Sequence, residues 1–232
     1  RGSMKIIWLG HGSFRIEIGN QILLIDPWLS GNPSLPENQH DAATAGADHI
    51  LITHGHFDHT ADLVSLSKSL NAPAVGMYDF MGHFETNDGL SVIGFNIGGT
   101  VMLGDIAVSM VPALHSNSYA QDPQAPVGRE VGYILKGEGR TIYISGDTGI
   151  MADMEWIGDY YKPDIGILSA GGHFTMDMKQ VAYAAQKYFK FKTVIPCHYK
   201  TFDILEQSAQ DLIDGLPDVE VIEPEVMTAI TL

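Results

Sequence analysis

The chain has little positive charge and a single cysteine. Among its 232 residues, 13 are Lys or Arg and 28 are Asp or Glu, so the formal net charge is −15. Long nucleic acids are bound largely through Lys and Arg that neutralise phosphates, so this composition disfavours them as partners while leaving short phosphodiesters open. The lone Cys197 cannot form a disulfide within the chain, and nothing indicates secretion. We therefore expect a cytoplasmic protein whose partner is a small molecule.

The chain also lacks long apolar runs, repeats and low-complexity segments. No segment approaches the roughly 20 consecutive apolar residues that span a bilayer, and the first residues do not have the pattern of a secretory signal. We therefore expect no membrane partner. With 45% hydrophobic residues, the chain can bury one large core. Arg1-Gly2-Ser3 before Met4 is typical of an expression-tag remnant, so we predict one domain over residues 4–232.

The pattern of apolar segments changes near Asp147. Before it, short apolar segments separated by turns predict antiparallel strands, and Gly19-Asn20 predicts the turn of a hairpin. After it, strands predicted over 165–168 and 193–196 alternate with helices predicted over 151–161, 176–189 and 203–213. This order predicts sheet layers enclosed by helices. Two long irregular segments, 32–47 and 116–128, are predicted to border a pocket.

Residues 53–60, Thr-His-Gly-His-Phe-Asp-His-Thr, hold three imidazoles and a carboxylate within six positions. These are the nitrogen and oxygen donors that suit zinc, manganese, iron and nickel. An apolar run over 50–52 before them and a predicted helix over 60–70 after them place the donors in a strand-to-helix loop. Four side chains of one short loop cannot all face one ion without strain, so we predict two ions that share them. The shared donors are His54, His56, Asp58 and His59.

Three further donors each follow a predicted strand. His115 comes after the strand that ends near residue 114, Asp147 after 141–146, and His198 after 193–197. A single His or Asp at a strand end is commonly a hydrogen-bonded loop residue or a helix cap. Three of them in the same structural position favour a common role, and we predict that they complete a site for two metals.

The order of these motifs resembles that of the metallo-β-lactamase superfamily. The matching residues are His-Gly-His-Phe-Asp-His at 54–59, His115, Asp147 in Ser-Gly-Asp-Thr-Gly, and His198 in Pro-Cys-His. The resemblance covers essentially the whole chain. It implies an α/β (α+β) fold of the four-layer αβ/βα type, with two mixed β-sheets flanked by helices and the metals at one edge. It also implies two ligand sets and a bridge: His54, His56 and His115 for one ion, Asp58, His59 and His198 for the other, and Asp147 between them.

Three other segments narrow the resemblance. Residues 9–14, 26–29 and 171–176 together resemble metal-dependent hydrolases related to L-ascorbate-6-phosphate lactonase and, more distantly, to N-acyl-phosphatidylethanolamine-hydrolysing phospholipase D. True β-lactamases have a cysteine where Asp147 stands, which argues against antibiotic hydrolysis. The lactonase-like relatives assemble as homo-oligomers, so the resemblance implies a homo-oligomer here as well.

The expected function is hydrolysis at two divalent ions. A bound metal lowers the pKa of water from about 15.7 to about 7, and a second ion can polarise the substrate oxygen. Zinc or manganese is expected first, although nickel and iron suit the same donors. Three hypotheses remain open. They are a hydrolase of an ester or lactone of a small metabolite, phosphorylated or not; a phosphodiesterase or nuclease-like hydrolase of small phosphodiesters or RNA; and a non-hydrolytic metal-binding protein, which the complete donor set disfavours.

Several residues near the predicted ligands have more than one interpretation. Asp58 is expected to relay a proton as well as to bind metal, and His173, between two glycines and a predicted helix, is expected to protonate the leaving group or contact substrate. His11 is a weaker candidate for the same edge. Asp26 either orients a ligand histidine or is only a turn residue at the end of a strand. Cys197 is not expected to be a ligand.

Overall fold

Two seven-stranded mixed sheets form the framework of the computed structural model, which describes residues 3–232. Arg1 and Gly2 of the predicted tag remnant lie outside the described residues. The first sheet consists, in spatial order, of β14 (Ala229–Thr231), β1 (Lys5–Trp8), β2 (Phe14–Ile18), β3 (Gln21–Ile25), β4 (His49–Leu51), β5 (Ala74–Met77) and β6 (Val92–Phe95). The second consists of β13 (Glu220–Val221), β12 (Thr193–Cys197), β11 (Ile165–Ser169), β10 (Arg140–Ile144), β9 (Val131–Gly137), β8 (Ile106–Pro112) and β7 (Thr100–Leu103). One buried apolar cluster contains side chains of both sheets, such as Ile16 of β2 and Leu135 of β9, so the sheets share a core.

Each sheet is antiparallel on one side and parallel on the other. In the first sheet β14 to β3 are antiparallel neighbours, including the predicted hairpin around Gly19-Asn20, whereas β3 to β6 run parallel. In the second sheet β7 to β10 are antiparallel and β10 to β13 parallel. The predicted sandwich of two mixed sheets is confirmed. The prediction that the first half of the chain is antiparallel throughout was wrong.

Helical crossovers explain the parallel pairs of the first sheet, because parallel neighbours cannot be joined by a tight turn. The crossovers contain α1 (His40–Thr44) after a short 3-10 turn (Glu37–Gln39), α2 (Phe57–Thr60) with α3 (Leu63–Leu70), and α4 (Tyr78–Asp88). The helix predicted over 60–70 is interrupted at Asp62, whose carboxylate accepts hydrogen bonds from the N–H groups of Leu29 and Ser30 at 2.6 and 3.1 Å. The sequence pattern did not predict α4, because its buried apolar residues are confined to 80–84.

Three further helices connect successive strands of the second sheet from β10 to β13. They are α5 (Met154–Tyr161), α6 (Met178–Tyr188) and α7 (Gln210–Gly215). The helix predicted over 203–213 was wrong in its first half, because the backbone there bonds to other segments. Glu206 donates its N–H to the carbonyl of Gly171, and its own carbonyl accepts from the N–H of Lys200. Among the described residues, no helix is both long and apolar enough to cross a membrane.

The ends of six strands bring the predicted donors to one edge of the sandwich. The relevant segments follow β1, β3 and β4 in the first sheet and β8, β10 and β12 in the second. They carry, in the same order, His11, Asp26, residues 54–59, His115, Asp147 and His198. Each strand fixes the start of its segment in a sheet, and the following loop turns the side chain toward the shared edge.

Candidate metal centre

Three imidazoles converge in what we call the imidazole cluster, formed by His54, His56 and His115. One ring nitrogen from each lies within 4.8 Å of the others, and Nε2 of His54 is 3.1 Å from Nδ1 of His56. His54 is buried, whereas His56 and His115 are partly exposed. Convergent ring nitrogens at this spacing match three protein ligands of one metal ion.

The loop that carries His54 and His56 depends on the glycine between them. A side chain at Gly55 would come within 2.6 Å of the carbonyl oxygen of Ser118, so only glycine fits this close approach. The N–H of Gly55 also donates to Oδ1 of Asn117 at 2.8 Å. These contacts fix the first loop donors against the segment that follows His115.

A second group, which we call the carboxylate cluster, is formed by Asp58, His59, Asp147 and His198. One donor atom from each lies within 4.8 Å of the others, and all but Asp58 are buried. Oδ2 of Asp147 is 3.1 Å from Nε2 of His59 and 3.1 Å from Nε2 of His198. Oδ2 of Asp58 is 3.3 Å from each of the same two nitrogens.

Asp147 lies between the two clusters. In addition to its two contacts in the carboxylate cluster, its Oδ2 is 3.7 Å from Nε2 of His54 and 3.6 Å from Nε2 of His115. One carboxylate oxygen is therefore surrounded by ring nitrogens of both groups, while the bridging role that the resemblance implies for Asp147 stays a prediction.

The electrostatics of the imidazole cluster favour neutral rings. Burial lowers the pKa of His54 well below its usual range, and the charge on His59 lowers it further. Burial also lowers the pKa of His56 and, against the opposing charge of Asp147, that of His115. Neutral imidazole is the form that donates to a metal, so these three rings are suited to bind one near neutral pH.

In the carboxylate cluster the pKa values of the histidines are raised instead of lowered. Burial alone would lower the pKa of His198, but the charge of Asp147 and hydrogen bonds with Asp147 and Asp58 raise it to about 9. Burial likewise opposes the charged form of His59, yet Asp147 and Asp58 raise its pKa well above the usual range. For Asp147, burial would raise the pKa, but the charges of His198 and His59 hold it far below the usual range. The cluster thus concentrates negative charge that requires positive charge beside it, and its donors fit a divalent cation.

Asp26 supports the carboxylate cluster from behind. Its buried Oδ2 lies 2.7 Å from Nδ1 of His59, and the hydroxyl and N–H groups of Thr53 donate to the same carboxylate at 2.6 and 2.8 Å. If Nδ1 of His59 holds the proton in this contact, Nε2 is left free toward Asp147. Of the two interpretations left open for Asp26, the contact supports the orienting role.

His11 belongs to the site more closely than the sequence pattern indicated. Its buried ring lies between Oδ2 of Asp58, 2.8 Å from Nε2, and Oγ1 of Thr201, 2.7 Å from Nδ1. Burial lowers the pKa of His11 to about 4 even though the hydrogen bond with Asp58 opposes the shift. The carbonyl of His11 also accepts hydrogen bonds from the N–H of His198 and the indole N–H of Trp8, both at 2.8 Å. His11 therefore holds both Asp58 and the backbone of His198.

Proteins of similar sequence identify the family of this chain. A model described as a beta-lactamase superfamily domain matches residues 21–199. Over 227 residues the chain is 77% identical to a UPF0173 metal-dependent hydrolase of Roseobacter denitrificans, covering 98% of this chain and 99% of that one. Over 230 residues it is 66% identical to a UPF0173 metal-dependent hydrolase of a Ruegeria species, covering 99% and 100%. The chain belongs to the UPF0173 metal-dependent hydrolase family.

Solved structures place this UPF0173 chain in the metallo-β-lactamase fold. A metallo hydrolase from the hyperthermophilic archaeon Ignicoccus hospitalis is similar with a TM-score of 0.88 and 29% identity, covering 99% of this chain and 98% of that one. A possible metal-dependent hydrolase from Veillonella parvula matches with a TM-score of 0.80 and 22% identity over the full length of both chains, which shows the shared fold. The superfamily and the fold expected from the sequence motifs are thus confirmed.

The structure of this UPF0173 chain does not bring His173 to the donors. His173 is exposed, its ring packs against that of Phe174 with centroids 4.6 Å apart, and it lines a separate surface depression with Gly171 and Gly172. The N–H of Phe174 donates to the carbonyl of Gly172 at 2.6 Å, which closes a tight turn. Because of this turn, His173 and Phe174 line different cavities. Phe174, not His173, lines the cavity beside the donors.

That cavity has a volume of about 450 Å³ and lies directly beside both clusters. It is lined by His56 and His115 of the imidazole cluster and by Asp58, Asp147 and His198 of the carboxylate cluster. Four aromatic side chains complete most of the wall: Trp28, Phe57, Phe174 and Phe202. Ser116 also lines it, as predicted for the segment 116–128, whereas the segment 32–47 instead packs Leu35 and Ala43 into a small apolar cluster with Leu9 and Leu29.

Proposed function

We propose that the chain is a hydrolase with two metal ions that cleaves an ester or lactone bond of a small molecule. The observation that carries the proposal is the position of Asp147, whose Oδ2 lies 3.1 to 3.7 Å from four ring nitrogens. Two of these nitrogens belong to each cluster, so one carboxylate is shared by two donor groups. Paired ions held by a shared ligand are typical of sites that hydrolyse carbonyl or phosphoryl bonds.

The donors would be divided as the sequence motifs imply. One ion would be held by His54, His56 and His115, the other by Asp58, His59 and His198, and both by Asp147. Zinc or manganese suits this set, in which every donor atom is an imidazole nitrogen or a carboxylate oxygen. When bound, such ions lower the pKa of water and polarise the oxygen of the substrate.

The protein's own contribution is orientation and a place for the proton. Asp26 sets the direction of the His59 ring, and His11 holds one carboxylate oxygen of Asp58. Asp58 is partly exposed and lines the cavity, so it can contact a reacting group there. Burial would raise its pKa, but the charge of His59 and hydrogen bonds with His11 and His198 hold the pKa well below the usual range, so Asp58 would relay a proton without retaining it. Burial of the surrounding donors keeps this chemistry in a region of low dielectric, where each charge acts more strongly.

The size and charge of the cavity favour the ester or lactone hypothesis. About 450 Å³ is within the range of small-molecule sites. Among the described residues that line the cavity, none is Lys or Arg. A channel for RNA would need such cations along its length.

Hydrolysis by metal-stripped protein reconstituted with zinc or with manganese tests the proposal. The panel contains simple esters, sugar lactones, bis(p-nitrophenyl) phosphate and cyclic nucleotides. Asp147→Asn is expected to abolish turnover, while the matched control Asp159→Asn, on the exposed face of α5, is expected to retain it. Cleavage of the diesters alone would support the phosphodiesterase hypothesis instead, and equal rates for Asp147→Asn and wild type would overturn the shared-carboxylate site.

A further inference from the structure

An aromatic wall borders the cavity on the side of His11. Trp28 forms its centre, since its ring lies 5.4 Å from that of His11, 5.9 Å from that of Phe57 and 6.2 Å from that of Phe202 between centroids. The indole N–H of Trp28 donates to the carbonyl of Ser30 at 3.0 Å, which fixes the ring. The centre of the wall is therefore held in place.

The wall lies next to the donor atoms. His11, whose ring contacts Trp28 and lies 5.7 Å from that of Phe202, is hydrogen-bonded to Asp58. Phe57 stands in the chain between His56 and Asp58, so it emerges from the donor loop itself. A substrate bound at the donors would therefore have this wall beside it.

Three of the four aromatic side chains of the cavity are exposed. Phe57 is 50% exposed, Phe174 55% and Phe202 42%, while Trp28 between them is buried. Grouped exposed apolar side chains around a concavity mark binding surfaces, because covering them with a ligand removes apolar area from water. Three partly exposed phenyl rings beside one cavity therefore indicate an apolar ligand group.

Positive charge is missing from the same surface. None of the described lining residues is Lys or Arg. Lys200 is close in sequence to the wall, but its Nζ lies over the ring of Tyr199, 5.3 Å from the centroid, and it is not among the lining residues. The chain as a whole carries a net charge of −15, which repels anions further. An anionic group away from the donors would find no cation here.

We propose that the site selects substrates whose non-reacting part is uncharged and apolar, so that phosphorylated metabolites are excluded. This inference rests on the proposed function of the same cavity and narrows its substrate class. The reacting ester or lactone group lies at the donors, and the apolar group of the substrate lies against Trp28, Phe57 and Phe202.

Binding of three hydroxamates to zinc-loaded protein tests the substrate class without turnover. Acetohydroxamate, phenylacetohydroxamate and phosphonoacetohydroxamate share a head group that binds metal ions and differ in the tail. Isothermal titration is expected to show the phenyl compound binding about tenfold more tightly than the acetyl one, and the phosphono compound binding no more tightly.

Variants of the wall assign the phenyl preference to its residues. Phe202→Ala should reduce the preference by about fivefold, and Phe202→Lys should transfer it to the phosphono compound. Tyr160→Ala is the matched control, because Tyr160 is an aromatic residue of α5 that is 75% exposed and does not line the cavity. It should leave all three affinities unchanged.

The outcomes separate the two proposals. Tight acetohydroxamate binding with no gain from the phenyl tail, or with a gain from the phosphono tail, would overturn the substrate class and leave the metal site standing. Failure of all three hydroxamates to bind would overturn both. A phenyl preference that survives in Phe202→Ala and Phe202→Lys would contradict the assignment to the wall.

Discussion

The imidazole cluster and the carboxylate cluster differ in burial and in charge. The first contains three neutral rings, of which only His54 is buried, whereas the second contains two carboxylates and has three buried members. Charges act more strongly where water is excluded. We therefore expect the carboxylate cluster to bind its ion more tightly, and the imidazole cluster to hold the more exchangeable ion.

Loss of a ligand charge should produce the largest difference in zinc affinity between the two clusters. Asp58→Asn removes a negative charge from the carboxylate cluster without changing shape, so we expect the affinity for the tighter zinc ion to fall by at least about 100-fold. His115→Asn should weaken only the other ion. Zinc competition with a chromophoric chelator measures both. If Asp58→Asn still bound the tighter ion and His115→Asn did not, the assignment of that ion to the carboxylate cluster would be contradicted.

Removing the charge behind His59 should have the next largest effect. Asp26→Asn keeps the shape of the side chain but weakens its contact with Nδ1 of His59, and we expect a loss of about 10- to 100-fold in affinity for the tighter ion. Thr53→Val removes the hydroxyl donor to Asp26 together with its 2.9 Å contact to Nδ1 of His54, and a smaller loss at the tighter ion is expected for it. Equal affinities of Asp26→Asn and wild type would show that Asp26 is only a turn residue.

The two clusters should also respond differently to pH. The pKa of His198 is raised to about 9, chiefly by Asp147 acting against burial, and the pKa of His59 is raised as well, so below that pH an incoming ion must displace their protons. Affinity of the carboxylate cluster should therefore fall as the pH is lowered from about 9, by up to about tenfold per unit for each proton displaced. The lowered pKa values of His54, His56 and His115, due mainly to burial, leave the imidazole cluster nearly insensitive above neutral pH. Calorimetry in buffers of different ionisation enthalpy counts the protons that the protein releases when metal binds. Equal proton release on binding of the two ions would contradict the expected difference between the clusters.

A smaller effect should distinguish His11 from His173. His11→Ala removes the hydrogen bond to Asp58, so we expect kcat/KM to fall by about tenfold. His173→Ala changes an exposed side chain that lines another depression, and a change of less than twofold is expected. Parallel kinetics of the two variants on the same ester decide between them. A larger loss in His173→Ala would restore the leaving-group role that the sequence pattern assigned to it.

The sequence predicted those parts of the fold that depend on local patterns. The hairpin of β2 and β3 follows from alternating apolar residues around Gly19-Asn20, and the apolar face of α6 was visible in its periodicity. The parallel pairing of β3 to β6 was missed because it depends on crossovers through helices, one of which, α4, has a weak apolar pattern. The predicted homo-oligomer and cytoplasmic location stay predictions.

The candidate site was predictable as far as its donor motifs extend. The donors of residues 54–59 are adjacent in sequence, and the three distant ones each follow a strand. The supporting residues were harder to assign, because their roles depend on backbone geometry. His11 and Asp26 adopt left-handed conformations, with φ of 53° and 46°, that no spacing rule anticipates. The turn after Gly172 likewise decides that Phe174 and not His173 lines the cavity.

Anomalous diffraction from crystals of the zinc-loaded protein tests the central claim most directly. We predict two peaks, one at each cluster, with a carboxylate oxygen of Asp147 within about 2.0 to 2.2 Å of both. A single peak, or two peaks of which only one is coordinated by Asp147, would contradict the proposal that one carboxylate joins the two clusters in a shared hydrolytic centre.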